Sequence, residues 1–309
     1  MTSNCKLRPK KEFADYTIMG CVEFGNIRKK RDNNILLRIY TYLLAHYFFT
    51  NQFRQVGHMS LKVQDIDYFF RRGTLENPRF WARFGGKPDF TGKVVGDVGC
   101  GHGSLCVDVA SAGARQVIGF DLDTERIESA QAIMSEHYPQ LRQNLEFRIQ
   151  DLADAPEREF DYFLSKDTFE HVIELPKVLR SMKERLKPGG QVYIGFGPLW
   201  NSPYGDHRRT KMRLPWGHVM VNEEFLVNRV NRLGGYCGSQ VSSIHDIGLN
   251  KFSLADYCRM FNESGLKTVF FKVNHSTRPI SRLFSSLRKV PLLEEYFSHN
   301  IYCILENPK

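Results

Sequence analysis

From Lys93 to Phe196 the chain alternates between two hydrophobic rhythms. Short apolar runs at Val94–Val98, Gln116–Asp121, Asn144–Gln150, Phe160–Ser165 and Gln191–Phe196 read as buried strands. Between them, residues 104–112, 124–137 and 174–186 carry apolar positions at helical spacing. Lys187-Pro188-Gly189-Gly190 reads as the stop of the last of these helices. Strand and helix alternating at this spacing predict a doubly wound, mostly parallel sheet. Right-handed crossovers then place helices on both of its faces. After Phe196 the rhythm breaks, and residues 197–250 mix Gly, Pro, Trp, Tyr and His without a period. A segment of that length inside a compact domain reads as a functional insert. A helix at 253–264, a strand at 267–274, a basic helical stretch at 279–297 and a last strand at 299–305 complete a seven-stranded prediction.

Ahead of Lys93, residues 35–55 read as one strongly apolar helix and 60–72 as a second. Asn77-Pro78 and Gly85-Gly86-Lys87-Pro88 look like loop punctuation. The pattern divides the chain into a basic arm with a helical cap, 1–89, and a main domain, 90–309, with an insert at 197–250. The apolar run Ile35–Phe49 is 15 residues long and holds Arg38 and His46. It is too short and too polar to span a bilayer. The first twenty residues are polar and mixed and show no signal-peptide pattern.

Composition changes the picture at two points. The chain of 309 residues carries a formal charge of +9, and residues 1–40 supply +5 of it, nine basic residues against four acidic. Such an arm suits solubility, an anionic surface or an acidic ligand. Arg28-Lys29-Lys30-Arg31 beside the apolar segment fits a cap over an active site, or peripheral membrane contact through residues 28–49. The seven cysteines are odd in number and none has CxxC spacing. That fits a reducing, cytoplasmic setting and neither a disulfide framework nor a zinc site.

The chemistry concentrates at Asp97-Val98-Gly99-Cys100-Gly101-His102-Gly103, a glycine-rich turn from strand to helix. Dinucleotide sites use G-x-G-x-x-G, whereas here Ser104 stands where the third glycine would be. A carboxylate at the strand end repels a pyrophosphate and attracts an ammonium group. The residues therefore favour a ligand with a cationic amine. At this point the chain resembles the class I S-adenosylmethionine-dependent methyltransferases. Their acid-GxGxG motif matches residues 97–103, and an acid ending the next strand matches Asp121, eighteen residues past Gly103. Arg148-Ile149-Gln150-Asp151-Leu152, Phe160 to Ser165 followed by Glu170-His171-Val172, and Leu186 to Gly190 match three further motifs in order. The resemblance covers residues 90–196 well and 250–306 loosely. It implies a Rossmann-like fold, with S-adenosylmethionine as cofactor and S-adenosylhomocysteine as product. It also implies a donor site made of Asp97 near the amine, Gly99, Cys100, Gly101 and Gly103 around the methionine part, Asp121 and Leu122 at the ribose, Asp151 and Leu152 at the adenine, and Ser165 close by.

The acceptor is less legible. No [DN]PP[YFW] motif follows the fourth strand, where Ser165-Lys166-Asp167-Thr168-Phe169 stands. That disfavours exocyclic nucleobase amines and glutamine. O-methylation of a small molecule (a secondary metabolite, a sugar or a lipid-like compound) is the expected reaction, with N- or C-methylation as variants. A hydroxyl acceptor needs a base. His207, beside Asp206, is the first candidate, followed by His171 and then His218. Trp200, Tyr204, Asp206 and Trp216 are candidate acceptor contacts. His207, His218 and His245 with Asp206 and Asp246 match no metal-ligand spacing, so no metal is expected. Two rival readings are an RNA methyltransferase and a non-catalytic scaffold that binds through the basic arm. Against the first, no RNA-binding module is recognisable. Against the second, every donor-contact residue type is intact. The sequence does not define an oligomeric state.

Overall fold

A computed structural model describes residues 66–275, 279–290 and 292–309. The predicted arm, the apolar 35–55 segment and the proposed membrane contact at 28–49 lie outside the described residues. Helix α1 (Ile66–Ala82) leads into β1 (Val94–Val98), α2 (Ser104–Ser111), β2 (Gln116–Asp121), α3 (Thr124–His137), β3 (Leu145–Ile149) and β4 (Phe160–Lys166). Then come α4 (Leu175–Arg185), β5 (Leu186–Phe196), α5 (Glu223–Arg232), α6 (Leu254–Glu263), β6 (Lys267–Val273), α7 (Pro279–Leu287) and β7 (Ile301–Glu306). The seven strands form one sheet in the order β3-β2-β1-β4-β5-β7-β6. The first five are parallel, and β7 runs antiparallel between β5 and β6. This is the Rossmann-like, mostly parallel architecture expected from the alternation.

Every residue of β1 is buried, as the centre of a two-faced parallel sheet requires. Val94 and Val98 face one core, with Phe163, Leu179, Met182 and Phe261. Val95 faces the other, with Leu105, Val109, Ile127 and Trp81. Strand order reverses between β1 and β4, and α/β sheets bind ligands at the carboxyl ends of strands beside such a switch. Among the described residues no helix is long and apolar enough to cross a membrane.

Four expectations change. Asn77-Pro78 does not break the chain, because α1 runs through it to Ala82. The helix tolerates Pro78 while tertiary bonds hold this stretch: Asn77 is buried, its amide donates to the Ser104 carbonyl at 3.0 Å, and Trp81 Nε1 donates to Asp108 at 2.7 Å. Lys187-Pro188-Gly189-Gly190 does follow the helix stop, since α4 ends at Arg185, but these residues are themselves strand. They open β5, which begins at Leu186 opposite Phe160 and shifts register before Tyr162 pairs with Gln191. Proline's fixed φ ends a helix but suits extended backbone. The basic stretch from 279 stops being helical at Leu287. Beyond it Leu293 and Phe297 return to a cluster with Trp216 and Phe284. The insert, finally, is not irregular throughout. It holds α5, which Asn222 caps by accepting from Phe225 N, and a small core of Leu226, Val230, Val241, Ile244, Ile247 and Leu249.

Candidate functional site

The turn after β1 is held by the strand beside it. Gly99 N and Cys100 N both donate to the Phe120 carbonyl, at 2.8 and 3.1 Å. Gly99 and Gly103 have φ of 75° and 79°, in the left-handed region where a Cβ is costly. A Cβ on Gly99 would also land in the Thr168 side chain, and one on Gly103 in the Phe147 ring. At Gly101, φ is 53° and the space around the Cα is open. The turn thus packs against protein at its two ends and is bare in the middle, where a ligand can approach.

Asp121 ends β2 under this turn. One carboxylate oxygen accepts from Gly101 N at 2.9 Å and the other from Asp123 N at 3.0 Å. The carboxylate is thereby aimed at the open edge, with acceptor capacity left for a diol. Leu122 beside it is 73% exposed and Ile149 at the end of β3 is 53% exposed. Two apolar side chains facing water at the strand ends suit the faces of a purine. Ile149 lies in the matched Arg148–Leu152 stretch without an assigned role there, and its exposure brings it forward. Asp151 accepts from Ala153 N at 2.9 Å and from Lys177 Nζ at 3.1 Å, and these bonds hold its carboxyl below the usual range. Leu152 is buried in the core. Ser165 is buried too and donates to the Val98 carbonyl at 3.0 Å, tying β4 to the turn.

Asp97 is not displayed at the strand end as an open anion. It is buried, accepts from the Cys106 thiol at 3.2 Å through Oδ2, and leaves Oδ1 without a partner. Burial raises its pKa to about 7. Cys100 is likewise buried and directed inward.

Beyond β4, Thr168 Oγ1 donates to the Gly99 carbonyl at 3.2 Å. The next turn carries Glu170 and His171, which pack against Gly197 and Gly248. Asn250, at the end of the insert, clamps this segment through Nδ2, which donates to the Phe169 and Val172 carbonyls at 2.6 and 3.0 Å. His171 Nδ1 lies 2.6 Å from the Gly248 carbonyl. A carbonyl only accepts, so Nδ1 carries the proton and Nε2 keeps its lone pair. His207 Nε2 lies 3.3 Å from the Pro198 carbonyl, so by the same argument its Nδ1 keeps the lone pair. The two rings are 5.1 Å apart. Burial, then Arg209, depresses His171 to about 4, while burial, His171 and Arg209 depress His207 to about 3. Both imidazoles are therefore neutral at physiological pH.

Glu170 stands beside them, 3% exposed, with Oε1 accepting from Gly197 N at 3.3 Å and Oε2 unpartnered. Burial raises its pKa to about 8. Ligand atoms of Glu170, His171 and His207 all lie within 4.8 Å of one another, so these three could hold a metal ion. A protonated Glu170 and the guanidinium of Arg209, 3.5 Å from His171 Nδ1, weigh against a second cation there. The structure does not bring together the five residues considered for a metal. His245 bonds the Leu249 carbonyl and Asp246 caps its own turn through Ser242 and Ser243.

Raised from 4.5 to about 8, Glu170 binds its proton more tightly in the folded state than in the unfolded. Stability is then full below pH 4.5 and falls as pH rises to about 8, by up to about 1.4 kcal/mol per unit. Glu170→Gln keeps the acceptor for Gly197 N and cannot ionise. Denaturant unfolding at a series of pH values is expected to show a flatter curve for the variant, with its largest relative gain above pH 8. Parallel curves for the two proteins would refute the buried-acid reading.

Three acceptor-side expectations are corrected. Asp206 does not orient His207. It is buried, it accepts from Thr210 Oγ1 and from Arg208 N, and it stands 3.7 Å from His218 Nδ1. The backbone turns left-handed at His207, φ 51°, and sends the neighbouring side chains apart. His218 is 1% exposed, with Nε2 2.6 Å from the Trp200 carbonyl. It braces the insert and has no opening to an acceptor. Trp216 is packed among Phe284 and Phe297 and donates to the Tyr296 carbonyl at 2.9 Å, so it belongs to a core cluster. Trp200 and Tyr204 remain half-buried at the site's edge, with Lys251 over the first ring and Arg208 over the second.

Comparisons agree with this geometry. A family described as methyltransferase domain matches residues 89–199. The ubiquinone biosynthesis O-methyltransferase of Neisseria meningitidis serogroup A is 32% identical over 182 residues, covering 59% of this chain and 66% of that protein. The human mitochondrial protein of the same description is 36% identical over 112 residues, 35% of this chain and 30% of that protein. The chain thus spans from about a third to just under two thirds of the length of these relatives. Geranyl diphosphate C-methyltransferase from Streptomyces coelicolor, solved with S-adenosylhomocysteine, shares the fold at a TM-score of 0.50 and 15% identity, over 78% of this chain and 82% of that one. Residues 89–199 thus match a methyltransferase domain, and the strand order, the glycine turn and the acids at the ends of β2 and β3 agree with the class I, S-adenosylmethionine-dependent type of that fold.

Proposed function

We propose that the protein transfers a methyl group from S-adenosylmethionine to an oxygen of a small-molecule acceptor held under residues 197–250. The supporting observation is the His171–His207 pair. Two imidazoles, each with a free ring nitrogen, meet beside a turn that Thr168 bonds to the glycine loop. An acceptor hydroxyl there can donate to one nitrogen and lose its proton as the carbon–oxygen bond forms. Gly99 to Gly103 would line the methionine part of the donor, Asp121 would accept the ribose hydroxyls, and Asp151 with Leu122 and Ile149 would hold the adenine. These residues contribute position: in-line displacement at a sulfonium carbon gains most from holding the two reactants collinear. The O-methyltransferase relatives support oxygen as the methylated atom.

Methyl transfer from labelled S-adenosylmethionine to a panel of hydroxylated small molecules tests the reading. His171→Ala and His207→Ala are expected to lower kcat by about 10²- to 10⁴-fold, the usual contribution of a positioned base. Donor affinity should stay unchanged in both. A loss of donor affinity equal to the loss of rate would show that the pair belongs to the donor site instead.

A further inference from the structure

Arg209 is a cation without an acidic partner among the described residues. Its NH1 donates to the Ile247 and Gly248 carbonyls at 2.7 and 2.9 Å and lies 3.5 Å from His171 Nδ1. Its Nε and NH2 have no partner among the described residues, and neither is sealed from solvent. The other cations nearby are differently engaged. Lys251 pairs with Glu223 at 2.6 Å, Lys211 donates to the Leu233 and Gly235 carbonyls, and Arg208 lies over Tyr204. Glu170, the acid nearest in the cluster, is buried against Gly197 and forms no ion pair with Arg209. The Tyr236 ring covers one face of the Arg209 guanidinium, 5.7 Å from its central carbon. A half-buried guanidinium held by one nitrogen and one face, with its Nε/NH2 edge unpaired, is a ready-made fork for a planar or tetrahedral oxyanion.

We infer that the acceptor carries an anionic group, a carboxylate or a phosphate, beside the hydroxyl to be methylated, and that the open Nε/NH2 edge of Arg209 binds it. The inference rests on the acceptor site proposed above and names its substrate class. With NH1 anchored on the Gly248 carbonyl, which also accepts from His171, the guanidinium and the imidazole are set by one peptide group. An acceptor anion on Arg209 would therefore be held beside the His171–His207 pair.

The test is calorimetric, on the full chain loaded with S-adenosylhomocysteine. The probes are the three hydroxybenzoates, the corresponding hydroxybenzamides and phenyl phosphate. At least one anion is expected to bind about tenfold or more tighter than its neutral counterpart, the size of a charge-assisted hydrogen bond. The stronger of the carboxylate and phosphate arms identifies the group. Arg209→Gln should erase the preference for the anion while leaving S-adenosylhomocysteine affinity within about twofold. Arg209→Lys should restore part of it, because charge survives without the fork. A merely structural Arg209 would weaken anion and amide alike, and that result overturns the inference. So does an absence of saturable anion binding by a protein that binds S-adenosylhomocysteine. Failure to bind S-adenosylhomocysteine itself would instead remove the donor site on which both readings stand.

Discussion

Asp121→Ala is expected to abolish donor binding at micromolar concentrations. The carboxylate serves two purposes. It accepts from Gly101 N and Asp123 N, which set the shape of the turn, and it has acceptor capacity left for the ribose diol. Hydrogen bonds to a charged group contribute about 1.5–3 kcal/mol each. Losing two from ribose costs about 3–6 kcal/mol, or roughly 10²- to 10⁴-fold in affinity. Asp121→Asn separates the two purposes. The amide oxygen can still accept from one of the backbone N–H groups, so the turn survives while the charge at the ribose is lost. Isothermal titration with S-adenosylmethionine should therefore give intermediate affinity for Asn and none for Ala. Equal, undiminished binding in both would move the ribose away from β2.

Gly99→Ala is the second large effect, and it acts first on the fold. At φ 75° an L-residue costs about 1–2 kcal/mol. The new Cβ would also displace Thr168, whose hydroxyl bonds the Gly99 carbonyl. Overpacking of this kind costs about 1–3 kcal/mol more. Denaturant midpoints should fall accordingly, and donor affinity should fall with them, because the displaced turn is the one proposed to line the methionine part of the donor. Thr168→Ala in the same chain should recover part of the packing cost and none of the conformational cost. If the single and double variants unfold like wild type, the contact between turn and β4 does not support the site.

The glycine turn and the acid at the end of β2 were readable from the chain because their signals are local. A strand of five residues, a turn of glycines with positive φ and an acid at the next strand end are all consequences of a short stretch of backbone. The acceptor half was not readable, and the reasons are physical. Asp206 and His207 are adjacent in sequence, but a left-handed residue between two turns directs them apart, so Asp206 serves His218. Arg209 finds its partners at 247 and 248, and Asn250 closes on 169 and 172, across chain separations that periodicity does not report. His218 and Trp216 were plausible by residue type and were reassigned by burial alone. Helix α1 passing through Pro78, and a β5 that opens on Pro188, show the same thing from the side of local rules. Punctuation residues bias the chain, and tertiary partners such as Asn77 with Ser104, or Leu186 opposite Phe160, decide the outcome.

The account stands on one claim, that the crevice at the ends of β1, β2 and β3 holds S-adenosylmethionine. Equilibrium dialysis of the full chain against methyl-labelled S-adenosylmethionine measures this directly. The account predicts one donor retained per chain, with a dissociation constant on the order of micromolar, about −8 kcal/mol. Retention no greater than that of Asp121→Ala at about 1 mM donor, roughly −4 kcal/mol, would contradict it.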